Sequence, residues 1–194
     1  MTKDAQAWKD LATAYEAKSD FASAIPAWQQ YTLLRPKDAD GITHYAQDLG
    51  QQLDTQGTEA QNLQTAAQQY QPSTFGPAAT SPLGRALGSL SDPIGQAAGT
   101  SATTDFQNAL AAYQQTATEL VAAYKKLAKL QPAEPSVRIQ LGQAAEAAGD
   151  YATAIAAYKQ LIKVFPDDPS VPQAKAKIKE LQKQLAGSSA SAQG

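Results

Sequence analysis

Residues 16–38, EAKSDFASAIPAWQQYTLLRPKD, lie in step with residues 146–168, EAAGDYATAIAAYKQLIKVFPDD. Charged, aromatic, aliphatic and proline positions coincide between the two stretches. A chain that repeats itself in this way builds by stacking helical units. Each unit buries its apolar face against its neighbours, so an exposed end needs a solvating cap. That one feature narrows the fold more than anything in the composition.

The spacing inside each copy has a physical reading. The first runs Trp8, Leu11, Ala12, Tyr15, Ala24, Trp28 and Pro36; the second runs Leu141, Gly142, Ala145, Ala154, Tyr158 and Pro166, with Arg138 where an aromatic residue would stand. Small Ala12 or Gly142 on one helix and Ala24 or Ala154 on the next allow close approach, and Tyr15, Trp28 and Tyr158 are sized to fill the space between. Pro36 and Pro166 lack an amide hydrogen and end the second helix. Asp20 and Asp150 stand where that helix wants an N-cap. Pro26 falls inside the same helix of the first copy, where a bend and some weakening are expected. These residues resemble the tetratricopeptide repeat, whose motif is W-x2-L-G-x2-Y, then A-x3-F, then P. The resemblance implies an all-α solenoid of about three helix-turn-helix repeats. They fall at 5–38, 39–132 and 135–168, followed by a capping helix at 169–186 and a disordered tail at 187–194.

The middle repeat is split. Its first helix begins on schedule with Ile42, Tyr45, Ala46 and Leu49, but the matching second helix, Leu120, Tyr124, Leu127 and Pro132, arrives far too late. Ile42, Ala46, Leu49, Leu53, Gln56, Ala60, Leu63, Ala67 and Tyr70 alternate steps of four and three. So do Phe106, Leu110, Tyr113, Ala117, Leu120, Tyr124 and Leu127. That is the seam of helices that wrap a partner helix. The expectation is a long hairpin with arms at 39–70 and 103–131, each about 45 Å at 1.5 Å per residue. Gly50, Gly57 and Gln56 weaken the seam. The stretch 71–102, rich in Pro, Gly, Ser and Thr, is expected to be a flexible linker, with one short helix around Leu83, Ala86, Leu87 and Leu90. In the capping helix, Val171, Ala174, Ile178, Leu181 and Leu185 form the apolar stripe, and Lys175, Lys177, Lys179 and Lys183 the polar side.

Composition closes off other classes. There are no cysteines, which removes disulfides, cysteine-ligated zinc and thiol catalysis. The net charge is −2, giving no general pull toward nucleic acid. The four cap lysines without arginine or aromatic company make a poor nucleic-acid patch. No stretch approaches a membrane span. The N-terminus lacks a signal peptide's apolar core, so the expectation is cytoplasmic, with a soluble domain of an anchored or exported protein as the alternative. His44 is the single histidine and suits a groove-lining role better than metal binding. Asp38/Asp40 and Asp167/Asp168 follow helix-ending prolines, where capping explains them. No phosphate loop and no Ser-His-acid set is present. No enzyme activity, cofactor or metal is expected.

What remains is a surface. In the resembled family the first helix of each repeat forms a concave inner face, and the matching positions here are Gln6, Lys9, Asp10, Thr13 and Glu16; Asp40, Thr43, His44, Gln47 and Gln51; and Ile139, Gln140, Gln143 and Glu146. Family members that bind chaperone tails grip a carboxylate with lysines and asparagines. Lys9 matches one such position, but Thr13, His44 and Ile139 do not supply the rest. The expected groove is neutral and amide-rich. Lys9, Thr13, Glu16, His44, Gln47, Gln51, Gln140, Gln143 and Glu146 are the candidate contacts for a protein or peptide partner. The alternative is a homo-oligomer, such as a domain-swapped dimer, assembled through the split repeat.

Overall fold

A computed structural model describes residues 4–69 and 82–191, with side chains over 4–68 and 101–186. Regular structure in these residues is entirely α-helical. It comprises α1 (Ala5–Glu16), α2 (Phe21–Leu34), α3 (Ala39–Gln69), α4 (Pro82–Leu130), α5 (Pro135–Ala147), α6 (Tyr151–Val164) and α7 (Val171–Ser191). The chain divides into two compact units, one of Met1–Leu53 with Gln114–Gly194 and one of Asp54–Tyr113. No described helix is long and apolar enough to cross a membrane.

The first unit is an all-α solenoid. In it α1 packs on α2, α5 on α6, and α6 on α7. The small residues do what their spacing implies. Ala12, Ala24, Ala145 and Ala154 are fully buried, and the Trp28 and Tyr158 rings close the space between paired helices. Burying one such ring stabilises by about 2–3 kcal/mol. At Gly142 an added Cβ would stand 2.5 Å from the Tyr158 ring. At Gly41 it would stand 2.2 Å from the Tyr31 ring, so α3 can start against α2 only because position 41 carries no side chain. Tyr15 is only half-buried and Leu11 is exposed, so neither is the filler its place in the motif suggests. Arg138, in the aromatic position, is buried with its guanidinium 5.2 Å from the centre of the Phe165 ring. A flat cation thus stands on an aromatic face where a second ring was expected.

The helix ends follow the sequence. Asp20 and Asp150 accept the amides of Ser23 and Thr153 at 3.1 and 3.0 Å, and Asp4 accepts that of Gln6 at 2.9 Å. Pro135 opens α5 at a position where the missing amide costs nothing. The turns before α2 and α6 both need one residue in the left-handed region. Gly149 fills it at φ 70° without strain, whereas Ser19 adopts φ 57° with a side chain to accommodate. Asp38 accepts the Tyr31 hydroxyl and the Asp40 amide, which draws the turn before α3 together; Asp168 accepts the Ser170 amide and hydroxyl at the corresponding turn. Helix α2 runs unbroken through Pro26, which is exposed.

Three boundaries differ from expectation. Residues 82–102 belong to α4, although they were read as linker. Pro82 is tolerated at a first helical turn, and the Leu83, Ala86, Leu87 and Leu90 spacing continues into alanines that favour helix, across Pro93. The rest of the expected linker, 71–81, lies outside the described residues, as does Tyr70. Helix α7 extends to Ser191, through five residues assigned to the tail, because Gly187 alone does not stop it; residues 192–194 lie outside the description. The apolar stripe of α7 ends at Leu181, since Leu185 is exposed.

The seam residues Ile42, Ala46, Leu49, Ala117, Leu120 and Leu127 are buried in the first unit. In the second unit α3 and α4 meet where an added Cβ at Gly57 would lie 3.4 Å from the Tyr113 ring. There Ala60 is buried, while Leu63, Phe106, Leu110 and Tyr113 are half-buried. Gln56 Oε1 is buried without a hydrogen-bond partner, a cost of placing an amide at that position.

Two glycine substitutions should move stability in opposite directions. Gly142→Ala is expected to cost about 1–3 kcal/mol by pressing on the Tyr158 ring. Gly50→Ala, with nothing within 4 Å of the new Cβ, should gain about 1 kcal/mol of helix stability. Thermal melts followed by circular dichroism check both signs.

Candidate functional site

Each regular repeat places an acid at the end of its first helix, and each acid does the same work. Glu16 accepts the Trp28 indole N–H at 2.8 Å, and Glu146 accepts the Tyr158 hydroxyl at 2.6 Å. A third helix then brings a base to the same carboxylate. For Glu16 it is His44 of α3, with Nδ1 at 3.0 Å. For Glu146 it is Lys177 of α7, whose Nζ donates at 2.9 Å and also lies 3.6 Å from Glu180. The arrangement is therefore acid, aromatic tip and base, drawn from three successive helices. Burial and the Glu146 bond both push the Tyr158 hydroxyl well above the usual phenol range. The Lys177 ammonium is held above its ordinary range, chiefly by its hydrogen bond to Glu146.

The C-terminal set borders a recess of about 240 Å³ between α5, α6 and α7. Gln143, Glu146, Gln173 and Lys177 supply polar groups, and Ile139, Leu161 and Ala174 supply apolar ones. Of the residues predicted here, Gln143 and Glu146 line the recess, while Gln140 is exposed and outside it. Lys177 was placed on the solvated side of the cap. It is instead turned to Glu146, because an ammonium on a half-buried carboxylate is better placed than in water alone.

The N-terminal set is tighter. The His44 ring stacks on Trp28 with centroids 4.9 Å apart and planes 17° apart. Lys9 pairs with Asp40 at 3.3 Å, and Asp40 lies 4.0 Å from His44 Nε2. Thr13 spends its hydroxyl on the Lys9 carbonyl at 2.9 Å. Gln47 and Gln51 are exposed. The structure thus brings Glu16 and His44 together, sets Lys9 beside Asp40, and leaves the amides on the surface. On the far side of α3 the Tyr45 hydroxyl donates to Glu119 at 3.1 Å, tying α3 to α4.

The sequence reading missed Asp48. It lies one turn after His44 on α3, is 2 % exposed, and its Oδ2 has no hydrogen-bond partner. Burial pushes its carboxyl up to about 7; Glu16 adds to the rise and His44 opposes it. The available signal was an acid set between Gln47 and Leu49, on the stretch where α3 is most apolar. Among the described residues no group of three or more His, Cys, Asp or Glu is arranged to hold a metal ion.

Residues 135–178 match the family model for the tetratricopeptide repeat, the segment that contains α5, α6, the start of α7 and the 240 Å³ recess. No curated protein matches the chain. A solved structure described as the crystal structure of MamA protein is similar over 94% of this chain and 88% of that chain, at 16% identity and a TM-score of 0.28.

The buried Asp48 carboxyl sets a pH dependence of stability. Folding holds its proton from about pH 4, where the unfolded chain's carboxyl ionises, up to about pH 7, so stability falls as pH rises through that window and is flat above it. Asp48→Asn removes the penalty. We expect it to stabilise by about 2 kcal/mol at pH 8, or ~5 °C, and by little at pH 4. An equal gain at both pH values would contradict this account.

Proposed function

We propose that this chain, a tetratricopeptide-repeat protein, is an interaction scaffold whose groove holds an extended or helical segment of a partner protein. The observation that supports it is the recess between α5, α6 and α7, where amide and charged groups surround an apolar floor. Ligand sites of this kind use a few placed polar groups for orientation and apolar area for affinity. Gln143, Glu146 and Lys177 offer a donor and acceptors to backbone amides, while Ile139 and Leu161 accept an apolar side chain. The exposed Gln47 and Gln51 continue the same polar character along α3. Catalysis is outside this reading, because the repeat is a scaffold fold.

Self-association through the split middle repeat is the second reading. Large apolar side chains left in water at the ends of α2 and α6, Leu33 64% and Val164 49% exposed, lie outside that repeat and favour association in general. Light scattering over a wide concentration range separates the two, since a monomer at high concentration removes the second reading.

The groove is tested with twelve-residue peptides selected from a random display library against the full chain. Titrated calorimetrically, Gln143→Arg should weaken their binding at least tenfold, as a desolvated charge is forced into the recess. Unchanged affinity in Gln143→Arg and Gln47→Arg would remove the groove as the site.

A further inference from the structure

The two acid, aromatic and base sets differ in one respect that bears on what a partner must bring. At Glu146 the chain supplies its own ammonium, Lys177 at 2.9 Å. At Glu16 it supplies only the His44 ring, through Nδ1 at 3.0 Å, and one turn further along α3 it adds a second carboxyl, Asp48. Asp48 has an oxygen with no donor. The carboxylates of this end are Asp38, Asp40, Glu16 and Asp48, together with Asp10 midway along α1. Against them the chain sets Lys9, already paired with Asp40, and His44.

We infer that the N-terminal end of the groove, at Glu16, His44 and Asp48, takes a cationic side chain of the partner segment, a lysine ammonium or an arginine guanidinium. The inference rests on the groove reading given above. The half-exposed His44 ring, stacked on Trp28, gives a flat platform on which a guanidinium can lie. Glu16 is the acceptor at the edge of that platform. Asp48 is too deep for direct contact; burial disfavours its charged form, and an arriving cation favours that form, so its carboxylate reinforces the site as the cation binds. Its electrostatic partners are Glu16, which repels it, and His44, which attracts it. An arriving cation relieves the repulsion. The two ends thus share one design, completed within the chain at α7 and by the partner at α3.

The test uses the displayed peptides and the full chain. Selected peptides should share one lysine or arginine position, and replacing it with norleucine, which keeps the stem and removes the charge, should weaken binding about tenfold. His44→Lys fills the platform from within, in the manner of Lys177, and should bring the norleucine penalty below twofold; Asp48→Asn should reduce it. Peptide binding should shift the Trp28 indole N–H resonance only when the basic residue is present. Selected peptides that bind with no basic position, or a norleucine exchange without cost, would overturn the inference and leave the groove standing. A library that yields no binders overturns both. The norleucine exchange needs no protein variant, so a misfolded mutant cannot obscure the outcome.

Discussion

The closeness of the paired helices depends on an aromatic ring that has little spare room. Trp28 is fully buried and Tyr158 nearly so, with Ala12 or Gly142 opposite, and at Gly142 even one methyl group would collide with the ring. A ring so placed has a polar tip that must be satisfied, because a buried donor without a partner costs about 1–3 kcal/mol. Glu16 and Glu146 satisfy it. The acid at the end of the first helix is therefore a consequence of packing before it is a feature of any binding surface. Because it is partly exposed and carries lone pairs to spare, it also becomes the anchor for the next helix through His44 or Lys177. Packing and recognition are built from the same atoms.

The residues that set the helices were legible because their roles are local or periodic. Asp20, Asp150, Pro36, Pro166 and the small-residue positions act within a turn or across one helix pair, and the repeated stretches show each of them twice. The ends of α4 and α7 were not legible. A stretch with several glycines and prolines reads as loop when weighed by composition, which hides the helical spacing that runs through it and across Pro93. The site residues divide in the same way. Gln143 and Glu146 could be placed by motif register, whereas Lys177 and Asp48 depend on which side of a third helix faces the groove. That is a tertiary fact. A run of lysines on a solvated helix looks the same in sequence whether or not one of them is drawn to a carboxylate.

The start of α3 and the end of α4 belong to one compact unit although residues 54–113 lie between them in the chain. Tyr45 and Glu119, far apart in sequence, form the bond that keeps the start of α3 with the last turns of α4. Ile42, Leu49 and Leu127 are buried as their repeat positions require, whatever lies between them in the chain. The described residues beyond this base continue α3 and α4 as helix, which leaves the buried contacts at the base in place.

The turn at Ser19 gives the two ends of this unit different dynamics. Its left-handed backbone, natural for Gly149, costs a side-chain-bearing residue about 1 kcal/mol. That strain is released whenever the turn opens. The α1–α2 corner should then sample open states about fivefold more often than the α5–α6 corner, all else being equal. The Glu16, Trp28 and His44 cluster is seated on the looser hinge, and the Glu146, Tyr158 and Lys177 cluster on the stiffer one. Amide exchange rates would register that difference as a gradient along the repeat array.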